Sequence, residues 1–175
     1  MINKLMAFSL LAASSLFIQP IKNSILPGYQ TSDIEHLNPA FKERAVKVLD
    51  DLSDIGYDVE IRATYRDSDY QDFIYGLSKI SERIFKRKIT SVRGGKSRHN
   101  RIHNGEPGSC AMDISPRGLS IEREAEFYKE LIDISRNRGL RTGGRFKKTN
   151  PEWAKYNLGW DPGHVYMSWG SCIVS

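Results

Sequence analysis

Two stretches of the chain hold most of the side chains that could do chemistry. The first is Arg93–Ile114, RGGKSRHNRIHNGEPGSCAMDI, and the second is Gly159–Trp169, GWDPGHVYMSW. Together they supply His99, Asp113 and His164, two imidazoles and a carboxylate. This ligand set suits catalytic zinc, which keeps its fourth position for water. The sequence therefore predicts one zinc site built from two distant stretches.

A further carboxylate precedes the second histidine. Asp161 lies three residues before His164, with Pro162 and Gly163 between them. Asp-Pro-Gly favours a β-turn, and a β-turn brings its first and fourth Cα atoms within about 7 Å. We therefore expect Asp161 beside a metal held by His164. A carboxylate in that place suits the general base that takes a proton from the attacking water.

The order of these residues resembles the M15 group of zinc peptidases, the D,D- and L,D-cleaving peptidoglycan hydrolases. The likeness is greatest to the phage L-alanyl-D-glutamate endopeptidases, which are endolysins, and it covers about residues 37–169. The family's Arg-Gly-Gly, Ser-x-His, Ala-x-Asp and Asp-x-x-His motifs match Arg93–Gly95, Ser97–His99, Ala111–Asp113 and Asp161–His164.

The resemblance implies a fold, a cofactor and a substrate. The expected fold is a single α+β domain, a small and mainly antiparallel sheet with helices packed on one side, like D,D-peptidases and hedgehog domains. The expected cofactor is Zn²⁺ and the expected partner is the stem peptide of peptidoglycan. The Asp-x-x-His ending favours an L-Ala–D-Glu endopeptidase over the alternative, a D-Ala–D-Ala carboxypeptidase, which would carry Glu-x-Trp-His.

An arginine upstream completes the resemblance. Tyr65-Arg66 followed by Gln71 is similar to the family's substrate-arginine segment. The resemblance implies that Arg66 faces the substrate carboxylate or the developing oxyanion, and a guanidinium can hold a carboxylate by two parallel hydrogen bonds. Gln71 is expected to support Arg66, and Ser97 to contact substrate. The alternative for Arg66 is a solvated charge at a strand end.

The chain departs from the family pattern at the first histidine. The family places that histidine seven residues before its aspartate, whereas His99 and Asp113 are fourteen apart. Asn100–Gly108 is one explanation, as a loop inserted after His99, because long surface insertions cost little closure entropy. The other explanation makes His103 the ligand. The Ser-x-His-Asn match after Arg-Gly-Gly favours His99.

Length, charge and cysteine content limit the number of domains, the kind of partner and the compartment that the protein suits. A chain of 175 residues suits one domain, and a net charge of +5 with a pI near 9.2 favours a polyanionic partner. Cys110 and Cys172 fit no paired zinc pattern. They could form one disulfide if the protein is exported, or remain free thiols in the cytosol. We expect a monomer that binds no nucleic acid.

The N-terminus indicates export. Residues 1–19 carry one lysine and an apolar run from Leu5 to Ile18, about the length of a signal-peptide core. The segment is expected to be a signal peptide or an N-terminal anchor, and it touches the membrane only if it is uncleaved. Residues 20–36 are expected to be a linker, and 37–175 the zinc peptidase domain, outside the cytoplasm.

Periodicity places the elements around the site. Asn38 and Pro39 predict a helix start, and Gly56 its end. The predicted elements are a helix Phe41–Asp54, a strand Tyr57–Tyr65, a strand Cys110–Ser115, a helix Glu122–Arg138 and a strand Val165–Trp169. One more helix should follow the Asp67–Asp69 cap, with an apolar face of Tyr70, Phe73, Ile74 and Leu77.

Two other classes of function compete. His99-Asn100 and His103-Asn104, with the basic charge, suggest a metal-dependent nuclease, but no ββα pattern surrounds them and Asp113 would be unexplained. A non-catalytic domain that keeps the zinc fold for binding alone is the second rival. It would have no need of a general base at Asp161.

Overall fold

The computed structural model describes residues 28–85, 88–147 and 150–172. Residues 1–27, which contain the predicted signal segment and the first part of the predicted linker, lie outside this description. The helices are α1 Pro39–Asp54, α2 Ser68–Phe85, α3 Ile121–Asn137 and α4 Pro151–Ala154. The strands are β1 Val59–Ala63, β2 Ile102–His103, β3 Glu106–Pro107, β4 Ala111–Pro116, β5 Arg141–Gly143 and β6 Asp161–Tyr166.

Four strands form one sheet in the order β1-β4-β6-β5, and every neighbouring pair is antiparallel. Strands β2 and β3 form a separate hairpin. The predicted α+β class, a small antiparallel sheet with helices packed on it, is confirmed. Among the described helices, none combines the length and apolarity that a bilayer crossing requires.

Helix α1 starts where its sequence predicts. The Asn38 side chain accepts a hydrogen bond from the Ala40 backbone N–H at 3.1 Å, and Pro39 occupies the first turn, where its missing N–H costs nothing. The buried residues are spaced by four, three and four positions along one face. They are Phe41, Ala45, Val48 and Leu52.

Helix α3 covers the centre of the sheet. Ser120 caps it, and its inner face meets β4 and β6 residues in one hydrophobic core. Burying each large apolar side chain of this kind stabilises the fold by about 1.5–3 kcal/mol. The buried apolar residues of α3 are Ala125, Phe127, Tyr128 and Leu131, and those of the two strands include Met112, Ile114 and Val165.

Helix α2 differs from its prediction. The Asp67 carboxylate caps it as expected, accepting from the Tyr70 N–H at 2.7 Å. The predicted apolar face is only partly buried, however: Leu77 is 40 % exposed and the other three residues are half-buried. The buried residues of the helix are Gln71 and Ser78. These two polar side chains form hydrogen bonds with the backbone of residues 89–92, which follow the helix. That segment pairs with none of the described strands. The need to satisfy that backbone decides which face turns inward.

The described part of the predicted linker contacts the domain. Thr31 donates its N–H to the Tyr65 carbonyl at 2.9 Å, and Thr64 donates its N–H to the Thr31 carbonyl at 2.7 Å. Gln30 forms an isolated β-bridge with Arg66. Residues 28–36 thus lie against the end of β1 and contribute side chains there.

Candidate metal centre

The sheet register brings two of the predicted ligands together. Asp113 in β4 lies directly opposite His164 in β6. Side chains directly opposite on antiparallel strands share one face of the sheet. His164 Nδ1 is accordingly 2.8 Å from Asp113 Oδ1.

His99 reaches the same point from a loop. It lies in a single 3₁₀ turn, Arg98–Asn100, whose first residue follows the Ser97 cap. The ring is 1 % exposed, and its Nδ1 lies 2.6 Å from the Thr64 carbonyl oxygen. A carbonyl can only accept, so Nδ1 carries the proton and Nε2 keeps a free lone pair. That Nε2 is 3.3 Å from both Asp113 Oδ1 and His164 Nδ1.

A hairpin accounts for the extra residues between His99 and Asp113. Gly108 donates its N–H to the Arg101 carbonyl at 2.8 Å, and Cys110 to the Arg98 carbonyl at 3.1 Å. Asn104 and Gly105, with φ of 52° and 84°, form the tight turn between β2 and β3. The excursion is closed at its base, so His99 stays next to the start of β4.

His103 lies on this hairpin and outside the cluster. Its Nε2 contacts the Asn104 side-chain amide at 3.3 Å. Among the described residues, His99, Asp113 and His164 are the group whose ligand atoms lie within 4.8 Å of one another. The sequence favoured His99 over His103 as the ligand, and the geometry favours His99 as well.

The donor set fits a zinc ion. Zinc–ligand bonds of about 2.0–2.2 Å in a tetrahedron put the ligand atoms about 3.3 Å apart. The three pairs of atoms here are 3.3, 3.3 and 2.8 Å apart. Two neutral imidazoles and a carboxylate are common ligands of catalytic zinc, and the hydrogen bond from His99 to Thr64 holds the ring in the orientation that ligation needs.

The protonation states also suit ligation. Burial first, and then the Arg66 charge, hold the pKa of His99 below its usual value, so its ring is neutral at neutral pH. Burial alone would raise the pKa of Asp113. The neighbouring His99, the Arg66 charge and the hydrogen bond from His164 outweigh burial, and the pKa of Asp113 falls well below its usual range.

Asp161 and its neighbours do not form the predicted β-turn. They lie within β6, which begins at Asp161, and the predicted strand Val165–Trp169 is shifted accordingly. The pairing with β5 is irregular: Thr142 pairs with Val165, but the next residue, Gly143, pairs with Asp161. Pro162 has no N–H to donate to a ladder, which explains an irregularity in a central strand. A Cβ on Gly163 would collide with the Ile114 carbonyl, so only glycine allows β4 to approach so closely.

The irregular strand leaves Asp161 near the cluster. The side chain is half-buried, and burial first and then the Asp113 charge raise the pKa of Asp161 to about 6. The charges of His164 and Arg66 act in the opposite direction and lower the pKa of Asp161. The predicted β-turn is wrong, because Asp161 begins a strand, and the place of Asp161 beside a bound metal stays a prediction.

Arg66 faces the cluster from the end of β1. One Nη donates to Asp113 Oδ2, and Nε donates to Gln30 Oε1 at 2.7 Å. Its own carbonyl accepts from the Asn100 side chain at 2.7 Å. Gln71, the predicted support, is elsewhere: it is 1 % exposed and its amide donates to the Val92 carbonyl at 2.8 Å.

Ser97, a predicted substrate contact, has a structural partner. Its hydroxyl accepts from the His99 N–H at 3.2 Å, and its own N–H donates to the Asn100 side chain at 3.3 Å. Sequence reasoning missed Gln30 and Thr64, which carry no motif. Asn100 had a signal, because it directly follows Ser-x-His and closes a capping box with Ser97.

Aromatic rings and a disulfide surround the site. The ring of Tyr166 stacks on His164, with centroids 5.2 Å apart, and Phe146 lies 6.3 Å from the same imidazole. Cys110 and Cys172 form a disulfide, with Cα atoms 6.1 Å apart. It joins the segment after β6 to the residue before β4.

The chain has the α+β fold of D,D-peptidase-like domains. No known family matches the sequence, and no curated protein matches it. The zinc-bound D,D-pentapeptidase VanY, from a VanB-type vancomycin-resistance cassette, superposes with a TM-score of 0.56 at 16 % identity. The match covers 83 % of this chain and 80 % of that one.

Two further structures match. DacB from Streptococcus pneumoniae D39 gives a TM-score of 0.54 at 16 % identity, covering 81 % of this chain and 72 % of DacB. The LD-carboxypeptidase LdcB, whose structure concerns peptidoglycan recognition, gives a TM-score of 0.49 at 20 % identity. The match covers 75 % of this chain and 58 % of the LdcB chain, so this chain spans less than two thirds of LdcB. The fold implied by the M15 resemblance is confirmed by VanY and DacB.

Proposed function

We propose that this chain is a zinc-dependent peptidoglycan peptidase that cleaves stem peptides, with His99, Asp113 and His164 as the zinc ligands. One observation carries the proposal. Three ligand atoms from a loop and two strands lie 2.8–3.3 Å from one another, close to the spacing in a zinc tetrahedron, on a fold shared with a zinc-bound D,D-pentapeptidase.

The residues around the cluster supply the remaining chemistry. A zinc ion held by these three residues would supply Lewis-acid activation of water and of the scissile carbonyl. Asp161 accepts the proton of the attacking water and returns it to the leaving amine. Its raised pKa makes the carboxylate a stronger base than an exposed aspartate, and burial is the main cause.

Arg66 is proposed to bind the substrate. Gln30 fixes its Nε, so the Nη groups remain directed at the cluster. A guanidinium held in this way can donate to a substrate carboxylate or stabilise the oxyanion that develops on the scissile carbonyl. Ser97 and Gln71 have structural partners that account for their side chains, so their contribution to binding is proposed to be indirect.

The bond we propose is L-Ala–D-Glu, as in the endolysin-like relatives that the motifs resemble. A second candidate is the D-Ala–D-Ala carboxypeptidase, and it is supported by VanY, which shares the fold and is a D,D-pentapeptidase. Purified cell wall digested with the zinc-loaded chain distinguishes the two. New glutamate amino termini support the endopeptidase, and free D-alanine supports the carboxypeptidase.

The same digest tests the rival classes. If neither product forms and zinc is bound, the chain is a binding module and the peptidase proposal fails. A nuclease would instead cut plain DNA in a reaction that needs the His99 region. That result would also contradict the proposal, because the expected digest of cell wall leaves nucleic acid intact.

We also propose that the protein works outside the cytoplasm as a monomer. Residues 1–19 would direct export as a signal peptide or anchor, residues 20–36 would be a linker, and residues 37–175 would form the peptidase domain. The Cys110–Cys172 disulfide supports export, because disulfides persist in oxidising compartments. A tagged full-length chain should fractionate outside the cytoplasm, and a chain starting near Lys22 inside it. Equal cytosolic distribution of both would contradict export.

A further inference from the structure

A row of alternating rings and guanidinium groups leads away from His164. The Tyr166 ring stacks on the imidazole, and the Arg98 guanidinium lies over Tyr166 with its Cζ 4.4 Å from the ring centroid. Trp169 covers Arg98 at 4.8 Å, and Arg101 in turn lies 3.9 Å over Trp169. We call Tyr166, Arg98, Trp169 and Arg101 the arginine row.

A third arginine adds its charge beside the row. Arg141 on β5 is the register partner of Tyr166 on β6, and it is exposed. The three positive charges therefore converge on one side of the sheet. Stacking between two rings fixes the plane of the Arg98 guanidinium and leaves its N–H edge free, apart from the Nε bond to the Met167 carbonyl at 3.0 Å.

In the part of the chain that the structure describes, the convergent charges lack an acidic partner. Within residues 28–85, 88–147 and 150–172, no carboxylate lies within ion-pair distance of Arg98, Arg101 or Arg141, and the buried Nε of Arg101 has no hydrogen-bond acceptor. Elsewhere in the same ranges, ion pairs neutralise several other arginines. They include Arg62, Arg66, Arg123, Arg136 and Arg138. Three guanidinium groups without an acidic partner among the described residues make a site for an anion.

We infer that the arginine row with Arg141 binds a second carboxylate of the substrate, remote from the scissile bond. The inference rests on the proposed peptidase function and names its substrate class: an acidic peptide. The arginine row begins next to His164, a proposed zinc ligand. The Tyr166 ring centroid lies 5.2 Å from the His164 ring centroid and 4.4 Å from Arg98 Cζ. An extended peptide advances about 3.3 Å per residue, so the carboxylate belongs about two to three residues from the scissile bond.

The position of the row favours a substrate group over a separate polymer. Arg98 directly precedes His99, and the Tyr166 ring touches both Arg98 and His164. A peptide that is bound at the cluster and extends past His164 on this side therefore meets the arginine row. A carboxylate fork matches the free edge of a guanidinium in two parallel bonds.

The experiment compares two peptides that differ in one group. Stem-peptide substrates are prepared with a free carboxylate, or its amide, two to three residues from the scissile bond, and kcat/KM is measured for both. The parent should prefer the acid. The Arg101→Gln/Arg141→Gln double variant should lose about 10–100-fold on the acid and little on the amide, the scale of hydrogen bonds to a charged group.

A charge control and a conservative variant separate binding from structure. Arg136→Gln removes the same charge from α3, away from the row, and should leave both peptides unchanged. Arg98→Lys keeps the charge but loses the stacked fork, and it should reduce the preference for the acid. An equal loss on acid and amide in the double variant would mean that the arginines only support the fold, and would overturn the inference.

A binding measurement keeps the inference testable if cleavage fails. Backbone-N-methylated acid and amide peptides, which resist hydrolysis, are titrated against the zinc-loaded chain by calorimetry. Tighter binding of the acid that disappears in the double variant supports the carboxylate site even if no cell wall is cut, in which case the proposed function alone fails. Equal binding of acid and amide by the parent would contradict the site itself.

Discussion

The two sides of the candidate metal centre are built in different ways. Asp113 and His164 stand opposite one another in the middle of the sheet, where the ladder between β4 and β6 fixes both backbones. His99 stands on a single 3₁₀ turn, held by its Ser97 cap and by the Thr64 carbonyl. The loop side accommodates an inserted hairpin, because the hairpin closes at its own base. The sheet side has no such freedom, since a one-residue slip would turn its side chains to the other face.

The largest expected effect comes from removing a ligand of the sheet side. His164→Ala deletes one of three proposed ligands and the Nδ1 that pairs with Asp113. We expect zinc content to fall from about one per chain to near zero, and cell-wall cleavage to disappear with it, because catalytic zinc is held by three protein ligands. Metal analysis of the purified variant measures this. Full zinc content in His164→Ala would show that the ligand assignment is wrong.

The next effect comes from a sheet-side residue that is not a proposed ligand. Asp161→Asn keeps the size of the side chain but removes the proton acceptor. Zinc content and folding should survive, while turnover falls by about 10²–10⁴-fold, the usual contribution of a positioned general base. Loss of zinc in this variant would make Asp161 a ligand, and a rate close to the parent's would place the base elsewhere.

The pH profile sharpens the same prediction. A general base works in its ionised form, so activity is present above the pKa of Asp161 and is lost as the pH falls through it. Burial raises that pKa to about 6, and a bound cation would lower it, because positive charge favours the carboxylate. The parent should therefore show an acidic limb at or below about pH 6, and Asp161→Asn should lack it. An unchanged limb in the variant would assign it to another group.

The sequence predicted much of the sheet side's chemistry but not its geometry. The types of the zinc ligands and the helices α1 and α3 followed from residue type and periodicity, and the α+β class followed from the resemblance to M15 peptidases. The direct pairing of Asp113 with His164 did not, because register depends on contacts between strands distant in sequence. Asp-Pro-Gly was interpreted as a turn from its composition, whereas a bulge in a central strand uses the same residues.

Helix α2 shows the same limit. Its apolar residues have helical spacing, and the helix is there, but Ile80 and Ile84 are 57 % and 62 % exposed. Periodicity predicts that a face exists and does not specify what covers it. The polar residues Gln71 and Ser78 are buried instead because they satisfy the backbone of residues 89–92. That contact is tertiary, and a single sequence carries no signal for it.

A smaller effect is expected from the close approach of β4 and β6. Gly163→Ala should destabilise the fold by about 1–3 kcal/mol, because the new Cβ collides with the backbone of Ile114 and not with a flexible side chain. Denaturant unfolding measures this. Gly76→Ala is the matched control: nothing lies within 4 Å of its Cβ position, in the interior of α2. The control should stabilise by up to about 1 kcal/mol. Equal stabilities for the two variants would mean that the strands can separate at no cost.

The smallest expected effect belongs to the hairpin on the loop side. His103 lies on β2, its Nε2 contacts only Asn104 among its described hydrogen-bond partners, and it is half-buried. Because the hairpin is closed below it by the Arg101–Gly108 bond, His103→Ala should leave the position of His99 unchanged. Zinc content and cleavage should match the parent, with stability altered by no more than about 0.5 kcal/mol. His99→Ala is the comparison that gives this result its meaning, since it should lose zinc as His164→Ala does. If zinc were lost in His103→Ala and kept in His99→Ala, the hairpin would carry the ligand, and the loop side of the site would have to be rebuilt around it.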